Sequence, residues 1–237
     1  PTDSLDNPFV YNPFAFPSDT TMYIVTVVDS NGCSNSDSIS VAVNLLPLVD
    51  AGPDDTICIG DTTQLSATGA INYTWTPTGS LNDPNIPDPV VFPSDTTQFF
   101  VLGTDIKNCK NMDSVKIIVN SLPVVIIGPD TEICLGDSTQ LNASGGSVYA
   151  WFPSDSLTDD SIPSPVAFPP NTTTYIVTVT DANTCVKKDS VTVEVNPLPT
   201  NILGNDTDLC IGDSVQLFAS GGVFYSWIPT NSLDNPS

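Results

Sequence analysis

Three decapeptides decide the reading of this chain: TICIGDTTQL at 56–65, EICLGDSTQL at 132–141 and DLCIGDSVQL at 208–217. Their starting points, 56, 132 and 208, are evenly spaced, and the same spacing extends well beyond the phrase. Tyr73, Tyr149 and Tyr225 keep it, as do Trp75, Trp151 and Trp227. The cysteines form two series on the same period, Cys33, Cys109, Cys185 and Cys58, Cys134, Cys210. Self-similarity at one fixed interval marks a tandem array, and a unit of this size exceeds the ~20–50 residues of a solenoid repeat. It suits a small domain with its own core.

The chain opens with PTDSLDNPF and closes with PTNSLDNPS, so it starts and stops at one place within the repeat. Residues 1–46 read as the later part of one unit, 47–122 and 123–198 as complete units, and 199–237 as the first part of another. We therefore expect an internal stretch of a longer array. Head-to-tail strand exchange between chains is the competing idea, but it would not require the overlap between the two ends.

Charge narrows the function. The chain has 27 acidic residues against five lysines, with no arginine or histidine, for a net charge of −22. Nucleic acids and anionic membranes are recognised through basic side chains, so neither is an expected partner. Most of the aspartates sit beside Gly, Pro, Ser or Asn, where they cap turns through side-chain hydrogen bonds. No apolar run approaches the ~20 residues of a membrane-spanning helix.

Helical periodicity is absent, whereas alternation with period two is strong. In TTTYIVTVTD, Tyr175, Val177 and Val179 share one face, and in SVTVEVN, Val191, Val193 and Val195 do. Leu141 and Ala143 point inward from STQLNASGG, and Tyr149 with Trp151 from YAW. PVVIIG at 123–128 and PVAF at 165–168 add short strands. About seven strands per unit, punctuated by turns, predict an all-β tandem array of small Ig-like antiparallel sandwiches. Trp75, Trp151, Trp227 and Tyr175 are the expected core. VNLLP, VNSLP and VNPLP join the units as short, stiff linkers.

The pattern C-x-G-D-S/T, Q-L-x-A-S/T-G-G, Y-x-W, P-V-x-F-P, T-T-x-Y-x-V-T-V-x-D, D-S-V and V-N-x-L-P resembles the Ig-like and PKD-like tandem repeats of large secreted Bacteroidota surface proteins. These include gliding-motility-associated adhesins exported by the type IX pathway. The resemblance implies an extracellular, cell-surface location and a stalk or filament role. Two departures stand out: Asn31-Gly32-Cys33 becomes Asn183-Thr184-Cys185, and Gly103 replaces a core valine.

Six cysteines without histidine point to disulfides rather than zinc. A disulfide needs Cα atoms within roughly 7 Å, and a strand of eight residues spans about 26 Å. Cys58, ahead of the second strand, and Cys109, after the sixth, then lie at opposite ends of one unit. Cys58 paired with Cys185 of the next unit fits that placement, with Cys33, Cys109, Cys134 and Cys210 pairing to further units. In-unit pairs Cys58–Cys109 and Cys134–Cys185, local pairs between one cysteine and the next along the chain, such as Cys33–Cys58, and bonds between chains remain open.

Catalytic chemistry finds little support. Histidine for general-base work is missing, and the acid pairs Asp54-Asp55 and Asp159-Asp160 lie in turns and do not recur. No cofactor is expected, although calcium, which takes six to eight oxygen ligands, has candidates in Asp50, Asp54, Asp55 and Asp105 if these converge. A third signal is Asp-Ser or Asp-Thr followed by an apolar residue or Thr, at Ser4, Thr20, Ser38, Thr56, Thr62, Thr96, Ser114, Ser138, Ser156, Ser161, Ser190 and Ser214. It resembles an O-glycan acceptor motif of secreted Bacteroidota proteins, and equally describes strands that open after turns. The expected function is therefore mechanical: a stalk or filament segment whose partners are neighbouring repeats of the same long chain, with other filaments or surface glycans as further candidates. An adhesin whose repeats bind glycans, or an accessory module of a secreted hydrolase, is the alternative.

Overall fold

The computed structural model describes residues 4–228. Its eighteen strands, with no helix among the described residues, fall into two compact units, Pro1–Ser121 and Leu122–Ser237. Among the described residues no helix is long and apolar enough to cross a membrane.

The first unit begins with a hairpin, β1 (Thr21–Val28) and β2 (Ser34–Val41). One complete repeat follows as β3 (Asp55–Cys58), β4 (Thr63–Gln64), β5 (Asn72–Thr76), β6 (Val90–Val91), β7 (Thr97–Thr104) and β8 (Lys110–Asn120). The second unit repeats the order as β9 (Ile126–Ile127), β10 (Thr131–Cys134), β11 (Thr139–Gln140), β12 (Ala143–Ser144), β13 (Val148–Phe152), β14 (Val166–Ala167), β15 (Thr173–Thr180) and β16 (Val186–Asn196). Two short strands, β17 (Ile202–Leu203) and β18 (Ala219–Ser220), pair beyond it.

Each complete repeat is a sandwich. One sheet has the order β3-β8-β7-β5, or β10-β16-β15-β13 in the second unit. The other is built from β4 and β6 with bridges Asp50–Thr68 and Leu81–Val91, and from β9, β12, β11 and β14 in the second unit. The expected alternation is what packs the two together. Phe99 and Val101 on β7, Val115 and Ile117 on β8, and Trp75 on β5 turn inward and are buried. Tyr175, Val177, Val179, Val191, Val193 and Trp151 do the same on the second sheet. Burying such a side chain contributes about 1.5–3 kcal/mol, so this seam holds each unit together.

The tryptophans also satisfy their polar edge. Trp75 Nε1–H donates to the Ile86 carbonyl at 3.1 Å, and Trp151 Nε1–H to that of Ile162 at 3.0 Å. Their backbone N–H groups bond the Pro84 and Asp160 carbonyls. A loop thus covers the outer edge of β5 and of β13, which would otherwise invite another strand.

Two expectations are corrected. The sandwich is not wholly antiparallel: β3 runs parallel to the end of β8, with Asp55–Cys58 opposite Ile117–Asn120, and β10 pairs with β16 likewise. Trp227 is half-exposed, not core. Trp75 and Trp151 owe their burial to later strands of the same repeat, Thr97–Asn120 in the case of Trp75, and no counterpart of these follows Trp227 among the described residues. Uncovered faces appear in β1 too, where Val25 and Val27 are exposed although Val101 and Val177, the counterparts of Val25, are buried.

Gly103 is explained by its neighbours. A Cβ there would sit 2.4 Å from Val49 Cγ2 and 2.8 Å from the Ala70 Cβ. One period on, the arrangement is exchanged: Val179 occupies the strand position and Gly146 faces it, where a Cβ would lie 2.4 Å from Val179 Cγ1. The two repeats fill one space from opposite sides. Gly103→Val should therefore destabilise the first unit by about 1–3 kcal/mol through overpacking, and adding Ala70→Gly should recover at least half. Denaturant unfolding of the full chain, with amide exchange followed on β7, measures that coupling; strictly additive effects would refute it.

Candidate functional site

The recurring phrase C-x-G-D is a strand end followed by a tight turn. Asp61 N–H donates to the Cys58 carbonyl at 3.0 Å, across Gly60 at φ +94°. Ile59 N–H donates to the Asn120 carbonyl at 2.8 Å, tying the turn to the last residue of β8. Leu135 with Asn196 and Asp137 with Cys134 repeat both bonds in the second unit. The positive φ explains the glycine, and the parallel pairing explains why a cysteine is held at that end of the sheet.

The other cysteine series closes a different turn, D-x-x-x-C. Asp105 Oδ1 accepts from Lys107 N–H at 2.8 Å and Cys109 N–H at 2.9 Å. Asp181 Oδ1 serves Asn183 and Cys185 in the same way, and Asp29 serves Asn31 and Cys33. The residue before each cysteine has positive φ: Gly32 at 81°, Asn108 at 61° and Thr184 at 66°. Thr184 is the costly member, since β-branched residues rarely adopt this conformation.

These turns mark opposite poles of a repeat. Cys109 directly precedes the first residue of β8, beside the incoming chain, where Asn111 Nδ2 donates to the Pro47 carbonyl at 3.0 Å. Cys58 lies opposite the last residue of β8, where the chain leaves. Eleven strand residues separate the poles, which is about 36 Å at the usual rise. Disulfides Cys58–Cys109 and Cys134–Cys185 are excluded by that span, because each joins one unit's two poles. Cys58 and Cys185 are disulfide-bonded. The remaining four cysteines carry free thiols: Cys33, Cys134 and Cys210 are exposed, and Cys109 is half-buried. The local pairs Cys33–Cys58, Cys109–Cys134 and Cys185–Cys210 each include at least one of these four, so none of them forms.

Lysines gather at one pole, beside the aspartates that close its turns, a pattern the sequence reading missed. Asp54, Asp55 and Asp61 flank Cys58, while Asp130, Glu132 and Asp137 flank Cys134. Four of the five lysines lie close to the opposite series: Lys107 and Lys110 around Cys109, Lys187 and Lys188 after Cys185. All four are exposed. Their spacing from the cysteines was readable, had the two series been compared for charge. An open depression of about 660 Å³ surrounds Cys134, lined by Glu132, Gly136, Asp137 and Asn196 among others. A similar one of about 570 Å³ surrounds Cys210.

The calcium candidates do not come together. Asp50 caps Gly52 N–H, Asp54 accepts from Lys116 N–H, and Asp105 closes its own turn. Asp55 accepts from Thr56 N–H and from the Thr63 hydroxyl at 2.6 Å. Among the described residues no three acidic, histidine or cysteine side chains converge as metal ligands. Of the glycan candidates, Ser156 is withdrawn: it is buried, and its hydroxyl shares a 2.6 Å hydrogen bond with Tyr175. Ser4 and Ser114 are half-buried. Thr20, Ser38, Thr56, Thr62, Thr96, Ser138, Ser161, Ser190 and Ser214 are exposed. The Thr20 and Thr96 hydroxyls already accept backbone N–H bonds from Val43 and Val119.

No protein-family model matches the chain, and no curated protein does. Several solved structures are similar to parts of the chain. An I-band fragment of titin, I67–I69, is 15% identical over 66% of this chain and 68% of its own, with a TM-score of 0.36. The PKD domain from the KIAA 1837 protein is 25% identical over 34% of this chain and 93% of its own, at 0.28. The insect immune protein hemolin is 14% identical over 74% and 56%, at 0.34. Scores this low say nothing of function. The Ig-like sandwich is established by the strand pairing itself.

Two predictions concern the poles. The Thr63 hydroxyl, then the Thr56 N–H, hold the Asp55 carboxyl below its ordinary value of 3.8. A depressed folded-state value makes this contribution complete above the unfolded value and lost as pH falls through the folded one. Asp55→Asn should therefore lower Tm at pH 6 and lose that deficit relative to the parent as pH drops below about 3.8. Thermal melts at paired pH values check this. Thr184→Gly should raise stability by about 0.5–1 kcal/mol, because glycine adopts the positive φ without steric cost; unchanged or lower stability would show that Thr184 is unstrained.

Proposed function

We propose that the chain is a stretch of an extracellular, cell-surface stalk or filament, in which disulfides staple each repeat to the next. The observation that carries this reading is the placement of the two cysteine series at opposite poles, with Cys58 and Cys185 in disulfide linkage. Cys58 sits where one repeat ends its last strand, and Cys185 sits in the head-pole turn of the next. With the other four cysteines free, the two are assigned to one another. Such a bond restricts rotation about the short VNSLP linker and persists only in an oxidising compartment. The repeats then act as rigid spacers, each adding about 40 Å from strands and loops.

The resemblance to repeats of secreted Bacteroidota surface proteins supports the same role and suggests export by the type IX route. Nothing in the reading calls for catalysis. An adhesin built on sugar stacking is less favoured, because the indoles of Trp75 and Trp151 are buried and already hydrogen-bonded. Thr20 and Thr96 aside, seven exposed hydroxyls of the Asp-Ser and Asp-Thr set leave surface positions for O-glycans on such a stalk.

Asp-N digestion without reduction should yield one peptide pair linking Cys58 to Cys185 that separates on reduction. A Cys58–Cys109 link would overturn the staple. Small-angle scattering tests the stalk: its radius of gyration should clearly exceed the roughly 18 Å of a compact chain of this length, and a value near that of the compact chain would refute an extended array.

A further inference from the structure

Residues 47–58 lie along β8 and in step with it. The Pro47 carbonyl accepts from Asn111 Nδ2 at 3.0 Å, Ala51 N–H donates to Asp113 Oδ2 at 2.8 Å, and Asp54 Oδ1 accepts from Lys116 N–H at 2.8 Å. Asp55–Cys58 then pairs with Ile117–Asn120. From Ala51 onward each partner stands the same number of residues ahead, so the segment follows the strand in parallel from the arriving pole to the departing one. In the second unit β16 itself makes that crossing. Cys185 directly precedes Val186, its first residue, and Asn196 is its last.

We infer that the Cys58–Cys185 bond makes the chain a stretch-limited tether. Tension crosses both complete repeats through 47–58, the disulfide and 185–196, and the cores cannot be drawn open while the bond stands. This rests on the stapled reading above and adds to it a response to force.

Both segments are already close to full length. A unit measures about 36 Å between its poles at the usual rise per residue, and either segment drawn taut reaches only about 42 Å. Pulling on the pair therefore gains roughly 12 Å. Load runs down each backbone from end to end and leaves the hydrogen bonds at its sides in place.

The bond also closes 59–184 into a loop that tension cannot lengthen. Trp75, Phe99 and Ile117 of the first core lie inside it, as do Trp151, Tyr175 and Val177 of the second. Of the buried residues in these cores, only Ala51, Ile57, Val191 and Val193 lie on the load-bearing segments. Once the bond is reduced, Cys58 and Cys185 are joined only through 59–184, which adds about 440 Å when fully drawn out.

Single-molecule force spectroscopy on the full chain tests this. Handles are attached by click chemistry to azide-bearing amino acids replacing the exposed Leu46 and Leu198, so that only the two complete repeats lie between them. Non-reducing peptide mapping is run on the same preparation. The oxidised chain should lengthen smoothly by less than about 30 Å, up to the forces that open the repeats after reduction, and should retrace its curve on relaxation. Added reductant should bring two opening events and the further length of about 440 Å. C58S should give the reduced trace without reductant. Stepwise opening of the oxidised chain, hysteresis on relaxation, or a gain above about 30 Å would overturn the inference where the map shows Cys58 linked to Cys185. A map without that link would instead refute the stapled reading, and the tether with it.

Discussion

Everything in a repeat hangs on one long strand. β8 and β16 each run eleven residues from pole to pole, and each is paired along both of its edges. One edge takes an antiparallel neighbour along most of its length; the other takes a four-residue parallel strand near its end. That parallel strand would be too short to stand alone. It persists because its hydrogen bonds are made to a strand already fixed by core residues such as Val115 and Ile117. Once it is placed, its cysteine is committed to the departing pole. The turn at the long strand's start commits the other cysteine to the arriving pole, so chemistry between units follows from pairing within them.

Much of this was legible in the sequence, and for a definite reason. Tyr175, Val177 and Val179 alternate with polar residues, and alternation reports directly which face a core covers. The opposite placement of Cys58 and Cys109 followed from the same count of strands. The strands β3 and β10 were not legible. Asp55–Cys58 and Thr131–Cys134 are only four residues long, and each pairs with the last strand of its repeat, in a parallel arrangement that no turn signal announces. Ser156 was misplaced because an Asp-Ser pair looks alike whether it faces water or a tyrosine hydroxyl. Trp227 was misplaced because a motif does not supply the strands that cover it.

The repeats are copies in register but not in side-chain detail. Phe99 stands where Tyr175 has a hydroxyl, so the bond to Ser156 has no equivalent at Ser80. The exchange of Ala70 and Gly103 for Gly146 and Val179 keeps a volume while moving it across the interface. Such paired changes keep each core close-packed. They also give successive units distinct cores, which discourages a segment of one from completing another.

The parallel pairing has a consequence under load. Tension along the chain draws the strand nearest the start of a repeat one way and the end of its last strand the other. Because β3 and β8 point in the same direction, their hydrogen bonds are pulled sideways together, rather than opened one after another from a free end. With the Cys58–Cys185 bond reduced, a unit strung this way yields in a single step at a high force, whereas β1 and β2, an antiparallel hairpin, can be peeled bond by bond. The same short strand that carries Cys58 thus becomes a mechanical latch once the disulfide no longer carries the load past it.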